Sequence, residues 1–450
     1  MESFESFEAN IEPSLAALQS RLSLSEPELR KVVLRMPSVL ESFDLESSLA
    51  ALQSRLSLSE QELKMVVLTL PSVLGCSFEA NIEPSLAALQ SRLLLSDPEL
   101  KRVVLGLPSV LGFSFEATIE PSLAALQSRL SLSEPELKKV VLKLPPVLGY
   151  SFEATIEPSL AALQSRLSLS EPELKKMVLK RPPVLGYSFE AIIEPTLAAL
   201  QSRLSLSEPE LKKVVLKLPA VLGRSFEDNI GPKLAALQSR LSLSEPELTK
   251  LVLTLPSVLS YSYEDNIKPS LAALQSRLSL SGPELKTVVL RVPSVLGCSF
   301  KANLEPSLAA LQSRLSLNEP ELKRVVLGAP SVLSFSFEAN IGPTLDFIEK
   351  AFRPPPDELR ERVVTSPKLL LRSLEQRYRP RVALAGALGV AIVRETLHPT
   401  GMHTDLQFMA WLRIRERLGL TDAFWEALCL LPEVERAGSV NNRRRWHGPH

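Results

Sequence analysis

The chain of 450 residues carries 51 Lys and Arg against 51 Asp and Glu, so it is formally neutral, and 45% of its residues are apolar. Neutrality excludes a polycation that gathers nucleic acid by bulk charge. Cys76, Cys298 and Cys429 have no CxxC spacing, which excludes a disulfide framework, and no apolar run approaches the ~18 residues of a membrane span.

The cysteines read as reduced thiols of an intracellular protein, and Cys76 and Cys298 share a repeat position with Phe113, Tyr150 and Tyr187, which points to packing. The start, Met1-Glu-Ser-Phe-Glu, is acidic, the opposite of an arginine-rich transit peptide. It reads either as a protein that stays where it is made or as a chain without its true start.

One stretch, Ser151 to Pro182, recurs almost verbatim to about residue 340. Its closing proline falls at Pro37, Pro71, Pro108, Pro145, Pro182, Pro219, Pro256, Pro293, Pro330 and Pro367. That spacing of about 37 residues, broken by one short second unit, marks a stacked-repeat architecture.

Within the unit, Ile156, Leu160, Leu163 and Leu167 lie on one helical stripe, and Thr155 is expected as N-cap with Pro158 in the first turn. Ser170 and Glu173 form a capping box that opens a second helix. Its apolar face is Leu174, Met177 and Val178, and Pro182 stops it. A Pro-x-Val-Leu-Gly turn follows, in which Gly186 is expected at positive φ. Such a unit cannot bury its apolar side alone, so neighbours stack into an all-α superhelical solenoid of two α-helices and a short turn per repeat.

In chain order, the first unit runs through Leu15, Leu18 and Leu22 and then Arg30, Lys31 and Arg35; the second loses three residues before Leu49. Units closing at Pro108, Pro145, Pro182 and Pro219 are near copies, as are those closing at Pro256, Pro293 and Pro330. Past residue 340 the pattern persists with new residues: Ile341, Leu345 and Ile348 in a first helix, Asp357 to Val364 in a second, and Pro367-Lys-Leu-Leu as the turn. Next come Ser373 to Arg381, an alanine-rich helix to about Val393, and a Pro/Gly/His break from His398 to His403. A last pair of helices follows, with Phe408, Leu412 and Leu418 on one and Thr421 capping another that ends at Leu431-Pro432. The expected organisation is near-identical repeats over 1–340, divergent repeats and capping helices over 341–436, and a basic, disordered tail over 437–450.

The frame Pro-x-Val-Leu, Ser-Phe-Glu-x-Asn-Ile-x-Pro-x-Leu-x-x-Leu and Leu-Ser-x-x-Glu-Leu-x-x-x-Val resembles the repeat of the mitochondrial transcription termination factor (mTERF) family from residue 4 to about 395. The stretch Val364 to Val382 is similar to that family's terminal repeats. The resemblance implies a superhelix of triplets, two α-helices and a 3-10 turn. It also implies a nonenzymatic protein that binds double-stranded DNA or RNA in transcription termination, transcription regulation or RNA metabolism, in a mitochondrion or chloroplast.

The candidate contacts are cationic. On the second helix, Lys139 and Lys143 lie opposite the apolar face, and the next two units repeat them as Lys176/Lys180 and Lys213/Lys217. Stacking would align these pairs into a stripe able to track phosphates. The alternative is a solvated face with intrahelical pairs such as Glu134 with Lys138. Arg377, Arg379 and Arg381 around Tyr378 form the densest cation cluster with an aromatic inside it, suited to phosphates and an unpaired base, or else an N-terminal turn whose arginines pair with Glu375.

Arg443 to Arg445 would add nonspecific attraction. Arg129, Arg166 and Arg203 fit an inter-helix salt bridge better than recognition, and Phe115, Phe152 and Phe189 fit packing between units. Catalysis has no support: the four histidines, all at or after His398, have no metal-ligand spacing with cysteines, and there is no glycine-rich phosphate loop. No cofactor, metal, membrane or small-molecule substrate is implied. A helical-repeat scaffold for protein partners is the competing reading, favoured by neutrality.

Overall fold

The computed structural model describes residue 16 and residues 18–36 and 45–416. Leu15, Pro37, Leu418, Thr421, Cys429, Leu431, Pro432, Arg443 to Arg445 and the expected tail lie outside the described residues. The chain divides into two compact units, Met1–Asn229 and Ile230–His450. Among the described residues each is built from helices and turns, with no strand.

The repeat closed by Pro182 shows how the sequence makes the fold. A 3-10 turn, Pro145–Gly149, leads into a π-helical turn, Phe152–Ile156, then into the α-helices Glu157–Arg166 and Glu171–Lys180. The cap expected at Thr155 stands four residues earlier: the Ser151 hydroxyl accepts from the Ala154 amide at 3.1 Å. Pro158 explains the shift. It has no N–H to donate and its ring would strike the carbonyl four residues back, so the turn before it widens to the π form, in which the Ile156 amide reaches the Ser151 carbonyl.

The second helix opens as expected. The Ser170 amide donates to Glu173 at 2.9 Å, Glu171 and Glu173 oppose the positive end of the helix dipole, and Arg181 leaves helical geometry at φ −138° just before Pro182. Ile156, Leu160, Leu163, Leu167, Leu174, Met177, Val178, Val184 and Leu185 are all buried. Within each unit a repeat shares this core with the next. The first helix packs on the next π turn, second helices pack side by side, and 3-10 turns stack on 3-10 turns.

Two backbone details differ from the expectation. Gly186 is not at positive φ; among the described glycines only Gly389 is. Its role is close approach, because a Cβ at Gly186 would come within 2.7 Å of the Tyr150 hydroxyl, and one at Gly223 within 2.4 Å of the Tyr187 ring. The left-handed residues sit between the two helices: Ser131, Ser168, Ser205 and their equivalents hold φ of 47° to 50°, a conformation that costs an L-residue about 1–2 kcal/mol.

In the second unit the repeat pattern continues past residue 340. Gly342–Phe352, Pro356–Thr365, Pro367–Leu371 and Leu374–Tyr378 follow the same order. The next helix is shorter than expected, Arg379–Ala387, because Gly389 turns left-handed at φ 71° and the Val390 amide closes on the Ala385 carbonyl. The stretch with His398 and His403, expected as a break, contains a short helix, Leu397–Met402. The helix Asp405–Glu416 then buries Phe408 and Leu412.

Candidate nucleic-acid interface

Two cations of the repeat, an arginine and a lysine, are held by its neighbours. Arg129, at the end of its first helix, donates through Nε to both oxygens of Glu157 (3.1 and 2.9 Å), through Nη1 to Glu171 (2.7 Å) and through Nη2 to Gln164 (2.6 Å). Arg55, Arg92 and Arg166 in the first unit and Arg277 in the second make the same fork. The inter-helix salt bridge read from the sequence is therefore present, reaching forward into the next repeat.

The first lysine of the second helix reaches the other way. Lys175 Nζ lies 2.7 Å from Glu136 and 2.8 Å from the carbonyl of left-handed Ser131, both in the preceding repeat. Lys138 and Lys212 repeat this with Glu99 and Leu94, and with Glu173 and Ser168. The intrahelical pair expected between Glu134 and Lys138 is replaced: Lys138 binds Glu99, and Glu134 accepts from Arg92 and Gln127. Hydrogen bonds from lysine and from the cap amide hold the Glu99 and Glu173 carboxyls down at about 2.

What remains outward is the second lysine of each helix and the lysine one turn on. Lys139, Lys143, Lys176, Lys180, Lys213 and Lys217 are exposed on Glu134–Lys143, Glu171–Lys180 and Glu208–Lys217, three successive repeats of one unit. Among the described residues none makes an ion pair within 4.0 Å, and Lys180 alone is tethered, to the carbonyl of Lys217. Arg181, which sequence reasoning passed over, is exposed beside Lys180. Its signal was visible in register, since the equivalent positions hold Leu144 and Leu218.

The second cluster does not present one surface. Tyr378 is fully buried, its hydroxyl donating to the Leu369 carbonyl at 3.0 Å, and burial pushes its phenol above the usual range. Arg381 is 1% exposed. It donates to the carbonyls of Thr400 and His403 at 2.9 and 2.8 Å, pairs with Asp405, and lies over the Phe408 ring at 4.9 Å. Neither reaches solvent, because the short helix Leu397–Met402 and the helix after it pack over them. Arg377 donates to the His403 carbonyl at 2.9 Å, whereas exposed Arg379 pairs with Glu375 at 2.8 Å and lies over Phe347.

Among the described residues no group of three or more His, Cys, Asp and Glu is placed to hold a metal ion, and no helix is long and apolar enough to cross a membrane. Cys76 and Cys298 are half-buried, each thiol donating to a carbonyl four residues back.

Repeats of π turn, two α-helices and 3-10 turn, with arginines and lysines clamped between neighbours, define a stacked helical-repeat protein. The model of one repeat family, mTERF, matches residues 5–171, 162–285 and 276–394. The chain belongs to the mTERF family. No curated protein matches it significantly.

Proposed function

We propose that this protein is a nonenzymatic binder of double-stranded nucleic acid, gripping the phosphate backbone with the lysine row of its first unit, and that it acts in transcription or RNA metabolism in a mitochondrion or chloroplast. The observation that carries the reading is the sorting of cations. Lys138, Lys175, Lys212, Arg129 and Arg166 are used up between repeats, while Lys139, Lys143, Lys176, Lys213 and Lys217 face outward without a carboxylate within ion-pair distance. Family membership supports the same ligand class.

Second helices packed side by side stand about 8–10 Å apart, so the lysine pairs recur at a regular interval along which a phosphate backbone can run. Near-identical repeats offer the same side chains at each step and cannot spell bases one by one; any sequence preference comes from duplex shape.

The test is fluorescence anisotropy of the full chain with a random-sequence duplex across a salt series. The logarithm of affinity should fall linearly with log salt, and replacing Lys139, Lys176 and Lys213 by alanine should flatten the slope by about 0.9 for each phosphate no longer neutralised. Absence of binding at low salt overturns the reading and leaves a protein-binding scaffold.

A further inference from the structure

Arg55, Arg92, Arg129, Arg166 and Arg277 each draw two carboxylates from the next repeat; Arg240 draws none. Around Arg277, Nε lies 3.0 Å from Glu305, Nη1 2.7 Å from Glu319 and Nη2 2.5 Å from Gln312. One repeat earlier, Arg240 keeps only the glutamine, with Nη2 2.5 Å from Gln275. The two acid positions hold Lys268, which opens the helix Lys268–Arg277, and Gly282, which opens Gly282–Arg291.

Arg314 also lacks both standard acids, since Gly342 and Pro356 occupy those places, yet Asp346 and Glu349 on the next helix replace them at 3.0 and 2.6 Å. Nothing replaces them for Arg240, which makes no ion pair among the described residues. Half-buried, it has a lysine and a glycine at the two positions that hold the acids around Arg277. Lys268 itself is exposed and reaches Glu264 at 2.6 Å.

We propose that Arg240, with Lys268 beside it and Gln275 bracing its fork, binds a phosphate oxyanion. The glutamate oxygens around Arg277 mark where the oxygens of such an anion sit relative to the guanidinium, a planar donor fork that matches phosphate as well as carboxylate. Exchanging two acids for a lysine and a glycine turns an acidic pocket into a basic one, and around the Gly282 position there is room, with no atom within 4 Å of where a Cβ would stand. The phosphate is either part of a nucleic-acid backbone, in which case the site rests on the function proposed above, or part of a free phosphate-bearing ligand.

The decisive variant is Lys268→Glu with Gly282→Glu, which installs the pair that the chain itself carries as Glu305 and Glu319; Arg240→Gln is the second. Inorganic phosphate, titrated against chloride at constant ionic strength, should raise the thermal midpoint of the unaltered chain saturably and leave both variants unmoved. With a random-sequence duplex, removing this one phosphate partner should weaken binding by about eightfold at 0.1 M salt relative to a 1 M reference and reduce the salt slope by about 0.9.

A response in both arms identifies a backbone phosphate, and a response to phosphate alone identifies a free ligand. An unaltered chain and variants that behave alike in both arms overturn the site. Should the unaltered chain not bind duplex at all, the function proposed above fails, while the phosphate arm still decides this one.

Discussion

The same glycine-to-alanine exchange should have opposite effects at two equivalent positions of near-identical repeats. Gly112 and Gly223 both end the 3-10 turn, and neither is at positive φ. Around Gly112 a Cβ meets nothing within 4 Å, the residue one repeat earlier being Cys76; at Gly223 it would fall 2.4 Å from Tyr187 Cζ. Gly112→Ala therefore only restricts the unfolded chain and should stabilise by about 0.4–1 kcal/mol. Gly223→Ala gains the same amount but must push the tyrosine ring aside, an overpacking cost of about 1–3 kcal/mol that outweighs it. The difference between the two variants should be that overpacking cost, measured by urea unfolding of the full chain with hydrogen exchange to locate the change. In a Tyr187→Cys background, Gly223→Ala should become neutral or stabilising. Equal effects at the two glycines, or no rescue by the cysteine, would refute the close-approach argument.

Three further outcomes follow from the clamps and the backbone. The Glu28, Glu99, Glu173, Glu247 and Glu284 carboxyls are lowered to about 2, chiefly by hydrogen bonds from lysines of the following repeat. A folded value below the unfolded one stabilises above about pH 4.5, and that contribution is lost as pH falls towards 2; acid titration followed by circular dichroism should show it, and Lys138→Met should make the loss smaller. Arg381→Ala removes a buried guanidinium and leaves the Thr400 carbonyl without that donor, which should cost about 1–3 kcal/mol locally, seen as lost exchange protection in Asp405–Glu416, while duplex affinity stays unchanged. At left-handed Ser168, valine should destabilise by at least about 1 kcal/mol and glycine should be neutral or slightly stabilising, read from thermal midpoints.

The prolines and capping boxes made the repeat legible because they act within a few residues of themselves. Pro182 stops a helix and Ser170 starts one whatever lies around them, so helix order and core face could be read from spacing. Thr155 misled because the widening forced by Pro158 moved the cap to Ser151, a competition between two local signals that spacing alone does not rank. The fate of charges was not legible. Lys138 had Glu134 one turn away on its own helix, yet its partner is Glu99 in the preceding repeat, and only stacking brings that carboxylate near. Lys139 and Lys138 are neighbours of identical chemistry, and the fold alone makes one a clamp and the other an outward cation. Tyr378 and Arg381 looked like a surface motif because the residues that cover them, Leu397 to Phe408, lie in a stretch read partly as a loop.

The inter-repeat clamps also bear on how such a chain changes length. Arg129 finds its partners 28, 35 and 42 residues ahead, and Lys175 finds its own 39 and 44 residues behind. Every bond stays between adjacent repeats. Where the repeats on both sides carry the standard acids, as around Arg129 and Arg166, inserting or removing one whole repeat therefore leaves arginine and lysine facing the same partners, and the join is as well satisfied as the parts it connects. The short second repeat shows the tolerance of the device: Arg21 still pairs with Glu46 and Gln53, at offsets of 25 and 32. Tandem duplication in the gene can thus extend the protein one repeat at a time without stranding a charge at the new boundary.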